Sequence, residues 1–160
     1  MLRRLKDNGG VVMATFVPGF LSQALRDWLK RSRDGAPKAP LGNDPKAQMA
    51  ELETRQGPAP RATLFDVADH VAYLVETAGI DHVGIGSDFF GGPQPIGLEN
   101  VGCFPNLFAE LLKRGFSERD LAKIASHNVL RVMREVEQVG LRLSETREPA
   151  LGRLEDYQGA

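Results

Sequence analysis

The sequence is poor in cysteine and has no recognisable targeting segment. Cys103 is the single cysteine among 160 residues, which excludes an internal disulfide framework and is typical of a reducing compartment. No signal peptide is recognisable at the amino end, and no apolar run is long enough to cross a membrane. These absences predict a cytoplasmic protein without a membrane segment.

The sequence also lacks an excess of charge of either sign. Its 20 Lys and Arg residues nearly balance 21 Asp and Glu residues, for a formal net charge of −1. No nucleic-acid or other polyanionic partner is therefore predicted. The 42% hydrophobic and 26% charged shares are ordinary for a globular chain, whose length suffices for one domain with a core.

The three histidines do not form a metal-binding pattern. His70, His82 and His127 are far apart, so none shows a His-x-His or His-x-x-x-His spacing. Structural hydrogen bonding is the expectation for each of them, and no metal ligand is predicted in this chain. Cys103 has no visible partner base, which favours a buried or loop thiol over a nucleophile.

What the sequence does contain is a strand signal with a charged end at residues 82–92, HVGIGSDFFGG. A short β-branched run that ends in a charged residue and glycines is typical of a buried parallel strand entering a loop. Functional sites of barrels and open α/β sheets lie at this carboxyl end of the strands. Asp88 is therefore the candidate catalytic residue; a loop-capping carboxylate is the alternative.

The rest of the chain alternates helix and strand signals. Residues 11–17 are an unbroken apolar run, which predicts a strand covered on both faces, and residues 82–88 predict the second strand. Residues 63–79 give the clearest helix, with Thr63 and Asp66 spaced as a capping box and Gly79 after its end. Further helices are predicted at the amino end (ending at Asn8-Gly9), over 21–33, from Pro105 to Gly115, from Ser117, and from Asn128 as a cap with a buried edge of Val129, Val132, Met133 and Val136.

Two segments have weaker signals. Residues 34–60 hold five of the ten prolines and predict a long loop, within which Asp44-Pro45 could open a short helix. Residues 144–160 have no periodicity and predict a flexible tail. A helix followed at once by a buried strand indicates a parallel α/β fold. Because a (β/α)8 barrel needs eight strands and roughly 250 residues, the chain is expected to be its last part.

Three blocks, in this order and spacing, carry a resemblance over most of residues 1–139. They are residues 8–20 (NGGVVMATFVPGF), Asp69-His70 with residues 78–91 (AGIDHVGIGSDFFG), and the closing segments 97–101, 104–105, 110–115 and 128–137. Together they resemble the C-terminal part of the membrane (renal) dipeptidase family of zinc metallopeptidases. The second block is similar to that family's Gly-Ser-Asp-Phe-Asp-Gly signature.

The resemblance implies a TIM-type barrel of the metal-dependent hydrolase kind, with residues 1–143 as its C-terminal part. It implies cleavage of dipeptides with two zinc ions, in which a metal-bound hydroxide attacks the peptide carbon. The metal ligands and the substrate-binding arginine would lie upstream of Met1. Asp88 matches the signature aspartate, which the family uses to move protons and to stabilise the tetrahedral intermediate. Phe20 matches an aromatic position that lines the substrate pocket.

Three departures from the family pattern accompany the resemblance. Phe90 stands where the signature usually has a second Asp, and Val17 and Phe20 stand where relatives often have tyrosines, so neither side chain can donate a hydrogen bond. His127-Asn128 replaces the usual Gly-Asn or Asp-Asn.

Two alternative functions remain. One is a non-catalytic partial barrel that binds a small ligand or a partner, and the other is a different metal-dependent hydrolase on the same barrel. Because a partial barrel leaves strand edges and apolar faces open, a homo-oligomer or a complementing N-terminal half is also expected.

Overall fold

The computed structural model describes residues 1–34, 45–90, 92–148 and 152. In these ranges two strands, β1 (Val12–Ala14) and β2 (Val83–Ile85), pair in parallel. Both are shorter than predicted, although backbone hydrogen bonding continues past them to Phe16 and Ser87. The parallel pairing and the intervening helices confirm the mixed α/β class.

Helices lie before, between and after the two strands. They are α1 (Leu5–Asn8), α2 (Pro18–Leu21), α3 (Gln23–Asp34), α4 (Pro45–Gln56), α5 (Leu64–Ala78), α6 (Phe104–Lys113), α7 (Glu118–Ala122) and α8 (Asn128–Ser144). A π-helix, Lys123–His127, joins α7 to α8, and 3-10 turns cover Leu2–Arg4, Ile80–His82 and Val101–Cys103. None of the described helices is long and apolar enough to span a bilayer.

Helix α5 is the centre of the packing and begins and ends as predicted. The Asp66 carboxylate accepts a hydrogen bond from the Thr63 backbone N–H at 2.7 Å, and Gly79 ends the helix with a φ of 90°. Its apolar residues recur at helical spacing and therefore lie on one face. This face packs against both strands. The buried core consists of Ala14, Phe16, Val67, Ala68, Val71, Leu74, Ala78, Val83, Leu98, Leu107, Leu111 and Ile124.

The prediction that the first strand is covered on both faces is wrong. Ala14 and Phe16 are buried in the core, whereas Met13, on the opposite face, is 39% exposed. Met13 lies over Gly84, where an added Cβ would come within 2.7 Å of the Met13 Sδ. The apolar run correctly indicated a strand, but it carried no information about which neighbours are present to cover its second face.

The predicted loop over residues 34–60 contains a helix of twelve residues, α4. Residues 35–44 lie outside the described part of the chain. After Pro45, α4 contains two Ala, two Gln and two Glu residues, which favour helix, and the predicted short helix is confirmed. The carboxyl end of α4 is held to α3 by reciprocal bonds, since the Trp28 Nε1 donates to the Gly57 carbonyl at 3.2 Å and Gln56 donates to the Trp28 carbonyl at 3.1 Å.

The predicted role of Asn128 as a helix cap is wrong. Asn128 is buried, and its Nδ2 donates to the carbonyls of Ile80 and Val83 at 2.7 and 2.8 Å. The helical backbone is already continuous through the π-helix, so no amide needs a cap there. The predicted buried edge of α8 is also wrong at its outer end, because Met133 and Val136 are exposed. Most of the predicted tail lies outside the described residues.

Candidate functional site

Asp88 lies three residues beyond the carboxyl end of β2. The loop before it is held to the first strand, since the Phe16 amide donates to the Ser87 carbonyl at 3.1 Å. Among the described residues, Asp88 is the one non-glycine residue with a positive φ, at 56°. Asp tolerates this left-handed conformation better than most residues, yet such backbone strain clusters at functional sites. The strand-end position and the strain both single out this carboxylate.

A cavity of about 480 Å³ opens beside Asp88. It is lined by Ile85, Gly86, Ser87, Asp88, Phe104, Phe108 and Ala125. Asp88 carries the one charged side chain of this lining, and the other walls are mainly aromatic and aliphatic. A concave, mostly apolar site with a few placed polar groups, here Ser87 and Asp88, is typical of small-molecule binding.

Three phenylalanines support the loop that carries Asp88. The Phe16 ring lies edge-to-face against Phe89 and Phe104, with centroids 5.7 and 5.9 Å apart, and Phe89 stacks on Phe104 at 5.6 Å. Such aromatic pairs add stabilisation beyond the area that they bury. Phe89 is thereby fixed directly after Asp88, and Phe104 contributes both to this cluster and to the cavity wall. The sequence pattern does not reveal the cluster, because its members come from three separate segments.

The amino ends of the strands carry a second set of polar contacts, remote from the cavity. Arg131 donates to the carbonyls of Gly9 and Asp81 at 2.7 and 3.0 Å, and the His82 Nδ1 lies 2.7 Å from the Gly10 carbonyl. These contacts fix α8 and both strands at the end opposite Asp88. They confirm the structural role predicted for His82.

Among the described residues, the groups with shifted pKa values also lie outside the cavity lining. A hydrogen bond from Lys123 lowers the pKa of Asp81, and burial lowers the pKa of His70. The Gly97 amide lowers the pKa of Glu99, whose Oε2 is 3.7 Å from the Cys103 Sγ. Local hydrogen bonds and partial burial explain these shifts without a catalytic role.

Phe20 does not share the cavity lining with Asp88. It lies in α2, is 67% exposed, and is not among the residues that line the cavity. Phe90, at the position of the second signature Asp, is 95% exposed. The structure therefore brings Asp88 together with Phe104 and Phe108, which the sequence pattern alone does not select, in a lining that does not include Phe20.

The residues described do not form a metal site by themselves. No group of three or more His, Cys, Asp or Glu side chains among them is placed to hold a metal ion. A zinc site needs three or four such ligands. In the lining of its cavity, Asp88 is the one side chain of these four types.

Solved structures with a similar fold include a metallopeptidase and a probable dipeptidase. A metallopeptidase from Rhodobacter sphaeroides, bound to a phosphinate mimic of the dipeptide L-Ala-D-Ala, matches with a TM-score of 0.54 at 23% identity, covering 79% of this chain and 27% of that one. The probable dipeptidase PvdM from Pseudomonas aeruginosa matches with a TM-score of 0.62 at 30% identity, covering 81% of this chain and 38% of that one.

Residues 1–147 match the family model of the membrane dipeptidases, peptidase family M19, and the chain belongs to this family. Dipeptidase ataJ from Aspergillus terreus is 40% identical over 143 residues, which cover 89% of this chain and 27% of the relative. Dipeptidase verJ from Clonostachys rogersoniana is 49% identical over 90 residues, which cover 56% and 23%. The chain thus spans about a quarter of the length of these relatives. The resemblance found in the sequence is confirmed.

Proposed function

We propose that residues 1–143 are the C-terminal part of a (β/α)8-barrel dipeptidase and that the cavity beside Asp88 belongs to its active site. The observation that carries this proposal is Asp88 itself, a strained carboxylate at a strand end that faces an apolar cavity. Family membership and the dipeptide mimic bound by the Rhodobacter sphaeroides relative support a dipeptide as the substrate. Residues 144–160 would be a tail outside the barrel.

Asp88 would act on protons during hydrolysis of the peptide bond. When water adds to the peptide carbonyl, a proton leaves the nucleophile and another must reach the departing amine nitrogen. A carboxylate that is accessible at the cavity wall can accept the first proton and donate the second. The rings of Phe104 and Phe108 would form an apolar wall of the cavity beside this exposed carboxylate.

Phe20 is proposed as a contact for the substrate. It follows β1 at the carboxyl end, and the carboxyl ends of parallel strands meet at one edge of a sheet, which is also where Asp88 lies. Its exposed ring has room to contact a ligand larger than the cavity lining alone could enclose. A phenylalanine at this position would contribute apolar contact and no hydrogen bond.

We propose zinc as the metal, with two ions held by ligands outside this chain. Zinc would supply the activated nucleophile and polarise the carbonyl. We expect the isolated chain to retain no stoichiometric zinc, because its described residues offer no ligand cluster. Elemental analysis after loading and dialysis checks this, with a full-length family member treated in parallel as the positive control. One or two tightly held zinc ions per isolated chain would contradict it.

A different hydrolase activity on the same fold is the second candidate. An amidohydrolase from Pseudomonas aeruginosa matches the structure with a TM-score of 0.56 at 24% identity, a likeness of fold alone. The cavity would then serve another amide substrate, because one barrel supports many chemistries.

A chimera distinguishes these functions. In a full-length relative such as the Aspergillus terreus dipeptidase, the matching C-terminal segment is replaced by residues 1–147 of this chain. We expect the purified chimera to hydrolyse dipeptides and to retain the metal content of its parent. Simple N-acyl amides serve as the competing substrates. A folded, metal-loaded chimera that cleaves only those amides would overturn the dipeptidase proposal.

A further inference from the structure

The cavity beside Asp88 combines two polar side chains with mostly apolar walls. Ser87 and Asp88 are the polar members of its lining, and Ile85, Phe104, Phe108 and Ala125 contribute apolar side chains. Asp88 is exposed, whereas Phe104 and Phe108 are half-buried. An apolar group that leaves water to enter this cavity therefore buries its surface next to an open carboxylate, which is favourable in proportion to the area buried.

The two rings of this lining differ in how they are held. Phe104 and Phe108 are four residues apart on α6, so they lie on one face of the helix, about 6 Å apart along its axis. The ring of Phe104 is fixed by contacts with Phe16 and Phe89. Among the described residues, this aromatic cluster does not extend to Phe108. Phe108 can therefore be changed without removing the aromatic support of the loop that carries Asp88.

Ala125 contributes the smallest side chain among the helical residues of the lining. It lies in the π-helix Lys123–His127, and such helices occur frequently at functional sites. Its neighbour Ile124 is buried in the core, whereas Ala125 is exposed. A larger side chain at position 125 would therefore narrow the cavity without entering the core.

We propose that this cavity binds an apolar side chain of the C-terminal residue of a dipeptide, and that Phe108 and Ala125 set the largest side chain that it accepts. The inference rests on the proposed function. In that mechanism Asp88 donates a proton to the departing amine nitrogen, which belongs to the C-terminal residue. This nitrogen must then lie within hydrogen-bond reach of the carboxylate.

The position of the nitrogen decides which side chain meets the walls. The side chain of the C-terminal residue branches from the carbon bonded to this nitrogen, so it begins next to Asp88 and its apolar surroundings. The side chain of the N-terminal residue lies on the far side of the scissile bond. An acidic C-terminal side chain would meet the like charge of Asp88 and lose hydration among apolar walls, so an apolar one is favoured.

The test measures kcat/KM of the chimera described above for Gly-Ala, Gly-Phe, Ala-Gly and Phe-Gly. Because glycine fills the other position, each dipeptide varies one side chain. Phe108→Ala should raise the Gly-Phe to Gly-Ala ratio of kcat/KM by about tenfold or more, since a single methylene in an apolar pocket changes discrimination by about 10–200-fold. Ala125→Leu should lower the same ratio by about tenfold or more. Neither variant should change the Phe-Gly to Ala-Gly ratio.

Phe65→Ala is the matched control for Phe108→Ala. Phe65 is 57% exposed on α5 and is not among the residues that line the cavity, so its loss should leave both ratios unchanged. A general loss of stability lowers all four rates together and cannot shift one ratio in opposite directions in two variants. Phe108→Leu replaces Phe108→Ala if the latter fails to fold, and it should raise the ratio by a smaller factor. Circular dichroism and metal analysis verify each variant.

Two outcomes overturn this assignment and leave the dipeptidase function in place. One is an active chimera in which Phe108→Ala and Ala125→Leu leave the Gly-Phe to Gly-Ala ratio unchanged. The other is a shift confined to the Phe-Gly to Ala-Gly ratio, which would assign the cavity to the N-terminal side chain. A folded, metal-loaded chimera that hydrolyses none of the four dipeptides overturns the proposed function and this inference together, so the two failures are distinguishable.

Discussion

An enzyme that carries this segment should lose about 10²–10⁴-fold in kcat when Asp88 is replaced by Asn, the usual scale for an acid–base group. The substitution keeps the size of the side chain and removes its ability to exchange a proton. KM should change less, because the group acts mainly on the transition state. Steady-state kinetics on the chimera described above, with a dipeptide substrate, provides the measurement.

The fold and the metal content should survive this substitution. Asn tolerates the left-handed backbone at position 88 as well as Asp does, and Asp88 is not proposed as a metal ligand. Glu76→Gln, which neutralises an exposed carboxylate on α5, is the control and should retain full activity. Near-original turnover by Asp88→Asn would leave the loop-capping interpretation standing, and loss of metal would make Asp88 a ligand.

The largest expected effect on stability is that of Phe16→Ala. Phe16 has no exposed surface and contacts the rings of both Phe89 and Phe104. Truncating such a ring removes its burial and leaves a cavity, so the free energy of unfolding should fall by about 3–5 kcal/mol. Because small domains are stable by only about 5–15 kcal/mol, this variant should be close to unfolding.

Urea denaturation followed by circular dichroism measures this change. Phe90→Ala is the matched control, because Phe90 is almost fully exposed and its loss should change stability by less than about 0.5 kcal/mol. Phe16→Leu should lose less than Phe16→Ala, since most of the buried volume remains. Equal, small effects of Phe16→Ala and Phe90→Ala would show that the aromatic cluster does not stabilise the fold.

The sequence predicts the position of Asp88 but not the cavity beside it. The apolar run and the following glycines placed this carboxylate at a strand end. The cavity depends on Phe104, Phe108 and Ala125, which follow in α6 and the π-helix. No spacing in the chain connects them to Asp88, because they meet it only after the helices pack on β2.

Local features of the fold were determined by the sequence alone. The caps of α5 and α7, and the glycine after α1, depend on groups within a few residues of each other, such as Ser117 and Asp120. Short-range hydrogen bonds and the positive φ of a glycine after a helix can be predicted from residue type and spacing alone. The same holds for the assignment to the membrane dipeptidases, which the order of three sequence blocks already indicated.

Only the tertiary structure decided which surfaces are covered and what the polar side chains contact. Asparagine is a common helix cap, yet the helix continues through Asn128. Its side-chain amide instead donates hydrogen bonds to the carbonyls of Ile80 and Val83. Met13 and Val136 belong to apolar patterns that predict burial, and both are exposed. An apolar pattern records that a face is suited to packing, whereas burial requires a neighbour, and the position of that neighbour depends on residues far away in the chain.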